Sequence, residues 1–81
     1  MIIHRIIRIY GIVQGVGSRP FVKRLADAFG LSGYVLNKGS LVEIKASGPE
    51  EGVREFYNAI ISSPPERALI VRHEISYAPS E

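Results

Sequence analysis

Eighty-one residues, 46% of them hydrophobic, suit one domain with one core. The absence of cysteine excludes a disulfide framework and a thiolate metal site, and two histidines, His4 and His73, are too few for a zinc centre, so neither metal nor cofactor is expected. Ten Lys and Arg against eight Asp and Glu give a net charge of +2, which favours a small anion and falls short of the clustered basic face of a nucleic-acid binder.

The opening MIIHRIIRIY is apolar but broken by His4, Arg5 and Arg8. It carries no small-residue cleavage site and no run approaching the roughly 20 apolar residues of a membrane span, so a soluble, cytoplasmic protein without membrane contact is expected. Ile7 and Ile9 alternate with Arg8 and Tyr10, which predicts a half-buried strand over Ile2 to Tyr10. After a glycine-rich stretch, Phe21, Val22, Leu25, Ala26 and Phe29 recur at helical spacing, with Pro20 in the first turn and Gly30 as a stop, so a helix is predicted from about Ser18 to Phe29.

SGYVLN (Ser32 to Asn37) and LVEIKA (Leu41 to Ala46) read as strands joined by the tight connection KGS. Val42, Ile44 and Ala46 take one face, Glu43 and Lys45 the other. SGPEEGVREFYNAII begins with helix-start residues, and Val53, Phe56, Tyr57, Ile60 and Ile61 form the stripe of an amphipathic helix. SSPPE breaks it, and RALIVRHEISY supplies a last strand. The order β-α-β-β-α-β predicts a ferredoxin-like α+β sandwich, a four-stranded antiparallel sheet with two helices on one face, residues 1–81 forming a single domain.

Gly11, Gly15 and Gly17 fall between the first strand and first helix. Glycines there allow turns in which successive N–H groups converge on one point, and the helix N-terminus just beyond favours a negative ligand. Arg19 adds a planar fork of donors suited to phosphate or carboxylate. The residues alone leave two readings open, an anion cradle or a tight turn with a solvated arginine. The spacing does not match the nucleotide-binding glycine loops.

GIVQGVGSRPF followed by GLSGYVLN resembles the acylphosphatase family, whose pattern is Gly-x-Val-Gln-Gly-Val-x-Phe-Arg, a helix, then Gly-hydrophobic-Leu-x-Gly-aromatic-Val-x-Asn. GVGSRPFVKRLA and SSPPERALI look most like the N-terminal acylphosphatase-like domain of the carbamoyltransferases that mature nickel-iron hydrogenases. The resemblance implies a metal-independent hydrolase of the carboxyl-phosphate bond of small acyl phosphates, or of carbamoyl phosphate in the second case. It implies a phosphate cradle from Val13, Gln14, Gly15, Val16, Gly17 and Ser18 with the Arg19 guanidinium. Asn37 would hold the attacking water, with Arg19 and Asn37 as the catalytic pair. A monomer is expected.

Where the family has an aromatic before the arginine, this chain has Ser18, read as a helix cap, and KGS is shorter than the family's usual connection. A relative that keeps the cradle but has lost turnover is an alternative. An RNA-recognition module shares the element order, yet it needs stacking aromatics on the central strands, where LVEIKA offers none and RIIRIY only Tyr10. Tyr34 is expected to pack against the sheet, His4 and His73 to take surface or structural roles on outer strands, Lys23 and Arg24 to lie on a solvated face, and Glu50 and Glu51 to start a helix.

Overall fold

In β1 (Ile2–Ile12), Ile3, Ile7 and Ile9 take one face, and His4, Arg8 and Tyr10 the other. The structure, a computed structural model, describes residues 1–12, 18–63 and 69–78. Within them β1 is followed by α1 (Ser18–Ala28), β2 (Ser32–Lys38), β3 (Leu41–Pro49), α2 (Glu50–Ser62) and β4 (Leu69–Tyr77). The strands pair antiparallel in the order β2-β3-β1-β4, and both helices contribute to the core on one face. This is the ferredoxin-like α+β architecture.

Register explains the core. Ile7 lies opposite Ile44 and Ile75, and Ile9 opposite Val42 and His73, so the apolar sides of neighbouring strands share one face. Onto it α2 lays Val53, Phe56 and Ile60, and α1 lays Val22, all buried. Phe56 is fully buried and contributes on the order of 3 kcal/mol by removal of its ring from water. The C-terminus of α1 is closed by two hydrogen bonds, from the Gly30 N–H to the Asp27 carbonyl (3.2 Å) and from the Leu31 N–H to the Ala26 carbonyl (2.9 Å). This paired cap turns the buried Leu31 side chain back into the core.

Two expectations change. β1 is an interior strand, so His4 does not sit on an outer one; its Nδ1 and the Ser47 hydroxyl of β3 share a 2.8 Å hydrogen bond. β3 runs on through Ser47 and Gly48 to Pro49, because these residues pair with His4, Ile3 and Ile2, and α2 starts at Glu50. Tyr34 points to the face away from the helices, where it is 41% exposed and donates its hydroxyl to Glu43.

Candidate active site

β1 and β2 both run antiparallel to β3, which lies between them, so they point the same way and finish at the same end of the sheet. Ile12 and Lys38 mark that end, and α1 begins there after the chain leaves β1. The Gly11 N–H donates to the Ser40 carbonyl at 3.3 Å and ties the end of β1 to the β2–β3 turn.

Gly11 belongs to the strand, a correction to its place in the loop. Its register with β4 shifts between Tyr10 and Gly11, leaving Val71 as the extra residue of a bulge. A Cβ at Gly11 would come 2.9 Å from the Val71 nitrogen and nearer still to the Leu69 carbonyl oxygen, at a φ of +133°. Only glycine fits so close an approach.

Asn37 is the penultimate residue of β2. It lies opposite Val42, and Val35 lies opposite Ile44; both partners are buried against the helices, so Asn37 belongs to the helix side of the sheet. Its side chain is exposed and makes no hydrogen bond or ion pair among the described residues, and its carbonyl can accept and its amide donate a hydrogen bond to a ligand or water. The structure therefore brings Asn37 to the end of the sheet where α1 starts. Val13, Gln14, Gly15, Val16 and Gly17 lie outside the described residues, as do the side chains of Ser18 and Arg19, whose backbone opens α1.

The electrostatics of the helix starts differ. The first turn of α2 carries Glu50 and Glu51, which complement its unpaired N–H groups, whereas the first turn of α1 has no acidic residue. The positive end of α1 has no acidic residue in its first turn to compensate it and suits an anion from outside. Lys23, one turn further, is exposed and pairs with Asp27 at 3.7 Å.

The strongest cluster of titratable groups is elsewhere, on the opposite face of the sheet. Glu43 of β3 is only 7% exposed and accepts hydrogen bonds from Arg8 Nε (3.2 Å), Tyr34 (3.3 Å) and Lys38 Nζ (3.4 Å). Burial pushes its carboxyl up, but Lys38 and Arg8 more than offset this and hold it below the ordinary carboxylate range. Next to it Glu74 of β4 accepts from Arg72 and Tyr10, and the Arg72 hydrogen bond leads in holding its carboxyl low as well. With both carboxylates paired and on the face of the sheet opposite to that of Asn37, this network is structural. The sequence reading missed it, although the alternating charges of β1, β3 and β4 were the available signal.

Among the described residues no three of His, Cys, Asp and Glu cluster as a metal site would require, and no helix is long and apolar enough to cross a membrane. The acylphosphatase family profile matches residues 5–81. A probable carbamoyltransferase HypF of Methanocaldococcus jannaschii is 45% identical over 69 residues, 85% of this chain and 9% of that protein. An acylphosphatase of Caldivirga maquilingensis is 53% identical over 57 residues, 68% of this chain and 60% of that one. The matched segment thus spans less than two thirds of either relative. A crystal structure of full-length HypF, in a phosphate- and nucleotide-bound form, superposes with a TM-score of 0.97 at 36% identity, covering 100% of this chain and 11% of that one.

Proposed function

The chain belongs to the acylphosphatase family, and from that premise we propose that it hydrolyses the carboxyl-phosphate bond of small acyl phosphates to a carboxylate and inorganic phosphate. One observation carries the reading: the start of α1, uncompensated by any acidic side chain of its first turn, and Asn37, without a side-chain partner among the described residues, share one end of the sheet. In this scheme the backbone amides of Val13 to Ser18 and the Arg19 guanidinium hold the phosphate. The amides and arginine neutralise the charge on its equatorial oxygens as the phosphorus is attacked. Asn37 accepts a hydrogen bond from a water and orients its oxygen toward phosphorus.

The P–O bond to the acyl group breaks, the carboxylate leaves with the bonding electron pair, and the proton released by water passes to a phosphate oxygen. An acyl phosphate has a good leaving group, so positioning and charge neutralisation suffice without a covalent nucleophile. Asn37 is too weakly basic to take the proton itself, which is why the phosphate is assigned that part.

The likeness to HypF supports a second reading, an acylphosphatase-like domain acting on carbamoyl phosphate within a longer carbamoyltransferase. Hydrolysis of benzoyl phosphate and carbamoyl phosphate by the wild type, Arg19→Ala and Asn37→Ala separates the cases. Turnover that falls by about a hundredfold or more in each variant is the expected result. A marked preference for carbamoyl phosphate would favour the second reading. No turnover of either compound, with inorganic phosphate still raising the melting temperature in an Arg19-dependent way, would leave an anion cradle without catalysis.

A further inference from the structure

The two halves of the candidate site belong to strands that do not pair with each other. The segment proposed as the phosphate cradle follows β1 in the chain, Asn37 sits near the end of β2, and β3 lies between these strands. β2 is an outer strand bonded on one side only, and Asn37 is its penultimate residue, so its place depends on what keeps that strand end from fraying. The backbone supplies the pairing of Asn37 with Val42 and of Lys38 with Leu41, together with the Gly11 N–H bond to the Ser40 carbonyl.

Glu43 adds a second hold from the face without helices. It lies opposite Leu36 of β2, and its diagonal neighbours on that strand are Tyr34 and Lys38. Its Oε1 accepts from Lys38 Nζ at 3.4 Å and from Arg8 Nε of β1 at 3.2 Å, while its Oε2 accepts from the Tyr34 hydroxyl at 3.3 Å. Asn37 falls within the stretch of β2 gripped at Tyr34 and Lys38. One buried carboxylate on the middle strand thus reaches both strands of the candidate site. Its neighbour Glu74 accepts instead from Tyr10 of β1 and Arg72 of its own strand, and pairs with Arg8 at 3.8 Å, with no partner on β2 among the described residues.

We propose that Glu43 is a positioning residue for the hydrolysis, setting the place of Asn37 relative to the phosphate cradle from behind the sheet. The inference rests on the acylphosphatase reading and adds to it a residue that acts only through others. Phosphate binding is assigned to the segment after β1 and to Arg19 of α1, whereas Glu43 faces away from the helices. Arg8 also pairs with Glu74, so β1 keeps an anchor when Glu43 is neutralised, and the release falls on β2. Loss of the grip therefore slows the attack by water, which Asn37 orients, more than it weakens binding. A displacement of about 1 Å there is enough to cost on the order of a hundredfold in rate.

The test measures kcat and KM for benzoyl phosphate in the wild type, Glu43→Gln, Glu74→Gln and the double variant Tyr34→Phe/Lys38→Met, each shown by circular dichroism to be folded at the assay temperature. Glu43→Gln should lower kcat by about tenfold or more while KM stays within about twofold. The double variant, which releases β2 and leaves Glu43 with Arg8, should do the same. Glu74→Gln should leave both constants within about twofold, because it neutralises a carboxylate on the same face without releasing β2. Equal falls in kcat for Glu43→Gln and Glu74→Gln, an unchanged kcat in Glu43→Gln, or a rise in KM alone overturns the proposal and spares the activity. Hydrogen exchange at the backbone amides of Tyr34 to Lys38 needs no turnover. Exchange faster by about tenfold or more in Glu43→Gln than in Glu74→Gln supports the grip on β2, and equal rates overturn it. A wild type that hydrolyses neither benzoyl phosphate nor carbamoyl phosphate sinks the proposed function instead, and the exchange rates then decide the grip alone.

Discussion

Replacing Gly33 with alanine tests how closely the outer strand is held to the sheet. Gly33 sits in β2 opposite Ala46 at a φ of +142°, and a Cβ there would lie 2.7 Å from the Lys45 carbonyl carbon and closer to its oxygen. The obstacle is backbone, so no rotamer change relieves it, and β2 must part from β3 at that point or reset its φ. Resetting the dihedral costs about 1–3 kcal/mol, and each ladder hydrogen bond lost adds about 1 kcal/mol. A loss of about 3 kcal/mol is expected, against a total stability of roughly 4–12 kcal/mol for a chain of this length. Thermal unfolding followed by circular dichroism should show a fall of roughly 12–24 °C. Gly39→Ala is the matched control: its φ is +66° in the β2–β3 turn, but nothing lies within 4 Å of the added carbon, so it should cost only about 1 kcal/mol. If Gly33→Ala melts no lower than Gly39→Ala, the close approach does not constrain β2 and the reasoning fails.

Two further predictions concern core and charge. Phe56→Ala removes the largest fully buried side chain and should cost about 3–5 kcal/mol, read as a lower denaturant midpoint or as outright unfolding at room temperature. Glu43 has a folded-state pKa below its ordinary value of 4.5, so its stabilisation is complete above that value and is lost as pH falls through the lower one. Glu43→Gln should flatten the acid limb of stability against pH in that window and, by stripping Arg8 and Lys38 of their shared partner, lower stability at pH 7 by about 1–2 kcal/mol. Acid limbs of equal slope in denaturation series of both proteins would count against this account.

The parts of the fold that follow local rules were legible from the chain. Val53, Phe56 and Ile60 recur on one side of a helix, Ile7 and Ile9 on one side of a strand, and KGS leaves room only for a hairpin. What depends on pairing between distant segments was not. Alternation assigns Glu43 to the face without helices, which reads as solvent; its burial arises because register sets Arg8 beside it and brings Lys38 and Tyr34 within reach. His4 was placed on an outer strand although the predicted fold already sets RIIRIY among the central strands, and the order β2-β3-β1-β4 puts β1 inside the sheet. Of the candidate site, the approach of Asn37 to the end where α1 starts follows from the strand directions of the predicted fold. Gly11 was legible as a residue needing special backbone, but its role as the partner of a bulge depends on β4, more than fifty residues later in the chain.

That bulge also bears on how the molecule behaves in a crowd. β4 is an outer strand on which Leu69, Val71 and Tyr77 are exposed, and free backbone groups beside apolar side chains invite a neighbouring chain to add itself to the sheet. The extra residue at Val71 breaks the even spacing of such a template and sharpens its twist, so a flat copy cannot lie alongside it in register. The irregularity thus makes the free edge of β4 a poorer template for strand addition than an even strand would be.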